Sequence, residues 1–383
     1  MGSEVVTSVL SLGGGFLSYL LPFLFVLTIV VFFHELGHFL VARWVGVRVL
    51  VFSVGFGPEL LGFTDRHGTR WKLSAIPLGG YVKFFGDQNA ASVPDQDSVN
   101  AMTAEERSQS FFYKSVPRRA AVVAAGPIAN FILAILIFAG IFMMHGKPAT
   151  SARVDSVQAG GAAEKAGFKP GDIIRSINGQ EIQTFSDMQR VVSGSAGETL
   201  HIAVNRGSEN MVLTAVPELK EVKDSFGNAH RVGVLGITRA MAADDVKLEK
   251  APPLTALKMG VAETWFVVER TMTYLGGVIS GREAADQLGG PIRIAQVSGQ
   301  VATVGMVALI HLTAVLSVSI GLLNLFPVPL LDGGHLLFYA IEALRGKPLS
   351  ERAQELGFRF GLAVVLMLMI FATYNDVTHL FWS

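Results

Sequence analysis

Four stretches of the chain are apolar on every face for long enough to cross a bilayer, and the polar segments between them differ from one another in pattern. The first runs from Phe16 to Val45, with the uninterrupted run Leu20–Phe33 continuing to Phe39-Leu40-Val41. At 1.5 Å per residue it can span a hydrocarbon core of about 30 Å. The second covers 120–145, the third 304–326 and the fourth 358–381, closing on an interfacial Trp382. Residues 46–119 form a polar loop. Within it, Trp71-Lys72-Leu73-Ser74-Ala75 alternates polar and apolar, Pro77-Leu78-Gly79-Gly80 reads as a turn, and Tyr81-Val82-Lys83-Phe84 resumes. That pattern predicts a β-hairpin with one apolar face over about 70–86.

Residues 150–217 change character, with short β-rich runs at Ala152–Val157, Asp172–Ile177, Leu200–Val204 and Met211–Ala215. Gly233–Ile237 predicts one more strand, extending this region to about 240. Over 251–300 the apolar residues Leu254, Leu257, Val261, Trp265, Val268, Met272 and Leu275 step by three or four. They predict an amphipathic helix over Pro252–Ile279, and its charges Lys258, Glu263, Glu269 and Arg270 place it in the membrane interface or against the apolar bundle. Gly289-Gly290-Pro291-Ile292 reads as a turn.

Composition agrees with a membrane protein carrying some soluble mass: 383 residues, half of them hydrophobic, 16% charged, and no cysteine. The absence of cysteine excludes disulfides and thiolate metal sites. Net charge is zero, so there is no electrostatic case for nucleic acid. No basic n-region and no convincing cleavage site precede the first span, so no removable signal peptide is expected. Lys and Arg are absent before Arg43 and abundant in 46–119 and again at Arg345, Lys347, Arg352 and Arg359. The positive-inside rule then puts both loops in the cytoplasm, with both termini and 150–217 outside.

The candidate chemistry sits at the end of the first span. Phe32-Phe33-His34-Glu35-Leu36-Gly37-His38 contains H-E-x-x-H. On a helix, His34 and His38 lie one turn apart on one face, where two imidazoles can hold one Zn²⁺. Glu35 is turned about 100° away, as suits a general base beside the metal. Ionisable groups at membrane depth are costly and point to function. A third ligand is needed, and the third span leads into Asn324-Leu325-Phe326-Pro327-Val328-Pro329-Leu330-Leu331-Asp332-Gly333-Gly334-His335. Asp332 offers a carboxylate. His335 competes with it on chemistry alone, and a helix cap is the plain alternative for Asp332. In the second span, Gly126-Pro127-Ile128-Ala129-Asn130 puts a polar amide at membrane depth. Asn130 suits a hydrogen bond to a neighbouring helix and is also carried as a candidate for positioning substrate.

H-E-x-x-H in the first span and N-x-x-P-x-P-x-L-D-G in the third resemble the signatures of the site-2 protease family. The run from Gly161 to Gly179, containing A-G-F-K-P-G-D-I-I-R-S-I-N-G, resembles the PDZ signature. A PDZ insertion after G-P-x-x-N makes the order similar to the bacterial RseP group, in its single-PDZ form. The resemblance implies an α-helical membrane core of four transmembrane helices with a membrane-associated β-hairpin, plus one extracytoplasmic PDZ domain. It implies that His34, His38 and Asp332 bind zinc, that Glu35 is the base, that Asn324 helps hold the substrate, and that Gly79-Gly80 marks an edge strand beside which substrate extends. It also implies a bacterial inner-membrane location, an active site toward the cytoplasm, and single-span membrane protein substrates already cut outside. A peptide C-terminus is a possible ligand of the PDZ groove, and membrane lipid is the surrounding partner. A zinc transporter would need ionisable residues staged through several spans, and the second and fourth offer almost none. A PDZ membrane scaffold would not need the full set of catalytic residue types.

Overall fold

The computed structural model describes residues 2–87, 102–148, 151–223, 229–239, 248–281, 285 and 289–382. The parts of the expected 46–119 loop at 88–101 and of the 251–300 segment at 282–284 and 286–288 lie outside the described residues. The chain forms two compact bodies. One comprises 1–138, 260–268 and 288–379, the other 139–259, 269–287 and 380–383.

The first body holds helices α1 (Gly2–Trp44), α2 (Ala104–Gln109) and the greater part of α3 (Val116–Met144), with strands β1 (Val49–Thr64) and β2 (Arg70–Phe84) between α1 and α2. The second body supplies β3 (Lys147–Pro148), β4 (Ser156–Val157), α4 (Ala162–Lys165), β5 (Ile173–Ile177), β6 (Gln180–Glu181), α5 (Phe185–Gly194), β7 (Leu200–Arg206), β8 (Glu209–Ala215), β9 (Glu218–Lys223), β10 (Ala229–Val234), β11 (Ile237–Thr238) and β12 (Leu248–Glu249). Helix α6 (Pro253–Ile279) has residues in both bodies. The first body then closes with α7 (Pro291–Val304), α8 (Met306–Asn324), α9 (Asp332–Arg345) and α10 (Glu351–Trp382). Among the described residues, four helices are long and apolar enough to cross a membrane, within Leu17–Trp44, Val116–Met144, Met306–Asn324 and Arg352–Thr378.

On α1 the buried residues Phe23, Val26 and Val30 step by three and four, and the same face continues to His34, Gly37 and His38. The packing stripe therefore runs straight into the polar motif. At Gly37 α1 packs closely against α3. A Cβ there would overlap the carbonyl oxygen of Ala125 and stand 2.8 Å from Ala129 Cβ.

The strands differ from the predicted hairpin. Trp71–Ala75 and Tyr81–Phe84 do not pair with each other across Pro77–Gly80. Instead, both flank the first half of β1. Phe52, Ser53 and Val54 pair with Val82, Tyr81 and Gly80 on one side. On the other side the same residues pair with Trp71, Lys72 and Leu73, with both numberings rising. The second half of β1 lies outermost, with Gly62, Phe63 and Thr64 opposite Lys72, Trp71 and Arg70. The turn is at 65–69, where Asp65 Oδ1 accepts from the backbone N–H of His67 (2.8 Å) and Thr69 (3.0 Å). Pro77–Gly80 is thus a crossing from one flank of β1 to the other. Val49, Phe52 and Val54 of the central strand are buried with Phe39, Val82, Phe84, Phe111 and Val122. That strand reads as a plain apolar run rather than an alternation, which hid it inside the loop.

A second difference lies at Gly289-Gly290-Pro291. The predicted turn is the start of a helix: Gly290 is the N-cap of α7 and Pro291 its first residue. The cap comes from far away in sequence. Asp376 of α10 accepts from the backbone N–H of Gly290 (2.7 Å), Ile292 (3.0 Å) and Arg293 (3.2 Å). α7 ends at Gly305, whose φ of +134° breaks the path before α8.

In the second body, β6-β5-β7-β8 form a four-stranded antiparallel sheet. Phe168, Ile174, Ile177, Phe185, Met188 and Leu200 are among the residues of its core. Of the predicted 152–157 strand, Ser156–Val157 pairs with β11, and Arg153 bridges to Ile173. The expected strand at Gly233–Ile237 is divided: β10 pairs with β9 and β11 with β4. Asp172 is fully buried and takes a two-point ion pair from Arg206 (2.7 and 2.8 Å). Helix α6 forms over the expected span and leaves Leu254, Leu257, Val261, Trp265 and Met272 exposed.

Candidate metal centre

Three groups from two helices converge in the first body. His34 Nε2 lies 3.3 Å from His38 Nε2 and 3.2 Å from Asp332 Oδ2, and His38 Nε2 lies 3.6 Å from Asp332 Oδ1. All three are at least mostly sheltered from solvent. Asp332 is carried to the histidines by the break after α8. Pro327 and Pro329 forbid a continuing helix. Leu330 has φ +87°, a strained value for a side chain with a Cβ. The chain folds back tightly enough that a Cβ on Gly333 would overlap the carbonyls of Leu325 and Phe326, and one on Gly334 would stand 2.6 Å from Pro329 N. Asp332 is then the first residue of α9.

The donor set fits a zinc ion. Nitrogens held at about 2.0–2.1 Å in a tetrahedral arrangement are separated by about 3.3 Å, close to the spacing of the two imidazoles. Asp332 Oδ2 is buried and makes no hydrogen bond although it faces His34 Nε2. A buried carboxylate oxygen without a donor is costly, and a cation between it and the rings removes that cost. Among the described residues, His34, His38 and Asp332 are the one cluster of three such side chains with ligand atoms within 4.8 Å of one another. His335 lies outside that cluster, with its ring against Phe358 at 5.6 Å.

α3 supplies the floor and back wall. Gly126 lies under both rings: a Cβ there would overlap His38 Nε2 and stand 2.9 Å from His34 Cε1. His38 Nδ1–H donates to the backbone carbonyl of Val122 (2.9 Å). Asn130 is fully buried behind His34, with its Nδ2 3.3 Å from His34 Nδ1. The close packing of Gly126 was not inferred from the sequence, although G-P-x-x-N in an apolar helix marks a place where a neighbour approaches.

Glu35 is buried beside the cluster, and β2 passes against it. A Cβ on Gly80 would stand 2.9 Å from Glu35 Cγ, 2.8 Å from Val31 Cγ1 and 2.7 Å from Ser53 O. Gly79, at φ +148°, lies on the Phe56 ring. The segment Gly80–Val82 has β1 as its one strand partner among the described residues, and at the end of the strand Phe84 N–H donates to Asp87 Oδ2 (2.8 Å). Asn324 is the last residue of α8, and its side chain makes no hydrogen bond among the described residues.

The profile of Peptidase family M50 matches residues 22–368, and the chain belongs to that family, the site-2 proteases. A protein from Agrobacterium fabrum named as a zinc metalloprotease is 52% identical, over 96% of this chain and 97% of its own. One so named from Rhizobium meliloti is also 52% identical, over 95% and 98%. Metalloprotease MmpA of Caulobacter vibrioides is 42% identical, over 95% and 96%. Among solved structures, the PDZ domain of an SdrC-like protein from Listeria monocytogenes matches at 21% identity over 24% of this chain and 88% of that one, with a TM-score of 0.18. The chain is a zinc metalloendopeptidase of the site-2 protease type and an integral membrane protein.

Proposed function

We propose that this protein cleaves peptide bonds within transmembrane segments of single-span membrane proteins. The observation that carries the reading is that Asp332 of α9 meets His34 and His38 of a helix able to span a membrane, with Glu35 of that helix against the β2 strand at Gly80.

His34, His38 and Asp332 would hold the zinc, which supplies Lewis acidity at that point. Glu35 takes a proton from the attacking water and delivers it to the leaving amide nitrogen as the C–N bond breaks. Its place next to Gly80 puts the proton acceptor alongside the strand edge. A substrate helix hides its peptide groups in its own hydrogen bonds and must unwind before a carbonyl is exposed. The edge of Gly80–Val82 away from β1 offers replacement backbone bonds to the unwound segment. Asn324, with its amide uncommitted, is suited to hold a substrate carbonyl.

Charge distribution supports a bacterial inner-membrane topology with the 46–119 loop inside and 150–217 outside. On that topology the region 150–217, read as a PDZ domain, excludes substrates with bulky outer domains and passes those already trimmed. Purified full-length protein in liposomes should cut a labelled transmembrane substrate, lose that activity to a chelator, and regain it with zinc. Deleting Ser151–Pro217 with a short Gly/Ser bridge should admit untrimmed substrate. Intact untrimmed substrate with slower cutting of trimmed substrate would mean recruitment by the PDZ groove instead.

A further inference from the structure

Each histidine of the cluster has one nitrogen facing Asp332 and the other facing α3. At His38 the outer partner is the backbone carbonyl of Val122. A carbonyl only accepts, so His38 Nδ1 carries the hydrogen and Nε2 presents its lone pair to the centre of the cluster. At His34 the outer partner is the side-chain amide of Asn130, which can turn either end toward the ring.

With Nδ2 toward His34, two conflicts arise together. Nδ2 is a donor, so His34 Nδ1 must accept and the ring hydrogen is forced onto Nε2, where a metal ligand needs its lone pair. At the same time, Asn130 Oδ1 is buried without a hydrogen-bond partner. Half a turn of the amide removes both: Oδ1 accepts from His34 Nδ1–H, and Nε2 is free to ligate. The amide is fully buried. Its backbone carbonyl accepts from Ser317 Oγ (2.9 Å), and Gly321 is packed so that a Cβ would stand 3.1 Å from Asn130 Cβ. Substrate has no path to it.

We infer that Asn130 is a positioning residue that acts through His34: its Oδ1 holds the Nδ1–H tautomer and the ring orientation that metal binding requires. This rests on the zinc reading of the cluster and assigns Asn130 no contact with substrate.

The test is metal binding by the full-length protein in detergent. Metal is removed with a chelator, and Co²⁺ is titrated while its visible absorption is followed. Asn130→Leu removes the acceptor and is expected to weaken Co²⁺ and Zn²⁺ binding by about 10–100-fold, with an altered cobalt spectrum. Its metal-free thermal midpoint should be unchanged or raised, because two buried polar atoms are gone. Asn130→Asp retains an acceptor and should restore both affinity and spectrum. Wild-type affinity and spectrum in Asn130→Leu would overturn the inference. So would equal metal loss in both variants together with a lowered metal-free midpoint, the signature of a packing role. A wild-type protein that binds no cobalt at all would instead overturn the underlying zinc reading.

Discussion

Gly126 of α3 lies directly beneath the imidazole of His38 of α1, leaving no room for even one methyl group between the helix and the ring. An alanine there favours the helix by up to about 1 kcal/mol, yet it must displace both histidines. Gly126→Ala is therefore expected to lose bound zinc and at least about 100-fold in activity, since a misplacement of about 1 Å is enough for that. Metal analysis of the purified variant beside a cleavage assay checks it. Full zinc and normal turnover would show that the ring is not seated there.

Gly80→Ala makes the complementary case. The three atoms nearest its new Cβ are Ser53 O, Val31 Cγ1 and Glu35 Cγ, none of them on a proposed ligand. Zinc content should stay near one per chain while cleavage falls about 10–100-fold. Loss of metal in this variant would mean that the strand supports the histidines rather than the substrate.

Glu35→Gln should abolish cleavage and leave zinc in place, because Glu35 lies beside the cluster and not in it. Residual turnover within about 10-fold of wild type would move the base elsewhere.

Asp332→Ala should lose both metal and activity, whereas His335→Ala should keep most of each. Asp332 faces both histidines at 3.2 and 3.6 Å, while the His335 ring lies tilted against Phe358. A metal-free His335→Ala protein would exchange the two roles.

These residues show what the chain discloses locally and what it does not. His34, Glu35 and His38 are legible because helical spacing alone puts them on neighbouring faces. The four apolar helices are legible because a bilayer demands length and apolarity of every residue. Which of Asp332 and His335 turns toward the histidines depends on the fold-back at Leu330, and no spacing rule contains that. The first half of β1 is hidden because a strand segment buried on both faces does not alternate. Pro77–Gly80 reads as a hairpin turn in the sequence and is a crossing in the fold, because turn residues serve both. Asn130 could be flagged as a polar amide in an apolar helix, but its partner lies on another helix.

The β-rich body has its own pH response. Burial works to raise the Asp172 carboxyl, but hydrogen bonds from Arg206 and from the Lys169 backbone outweigh it and hold it below the ordinary 3.8. A lowered folded-state value means the ion pair contributes fully above the unfolded value and is lost as pH falls through the folded one. Hydrogen-exchange protection factors over 151–239 in the intact protein, referred to the intrinsic exchange rate at each pH, should fall below about pH 4. Asp172→Asn should weaken protection at neutral pH by on the order of 1–3 kcal/mol and flatten that acid dependence. An unchanged acid profile would place the sensitivity in another carboxylate.

The cap that Asp376 places on α7 has a consequence for the order of synthesis. The three N–H groups at Gly290, Ile292 and Arg293 leave the ribosome 83 to 86 residues before their acceptor. Every group of the metal cluster has been made by residue 332. A nascent chain can therefore hold a complete ligand set while the start of α7 still lacks its carboxylate. The final helix acts as a late clasp, and a chain that stops short of residue 376 carries the chemistry without the fastening.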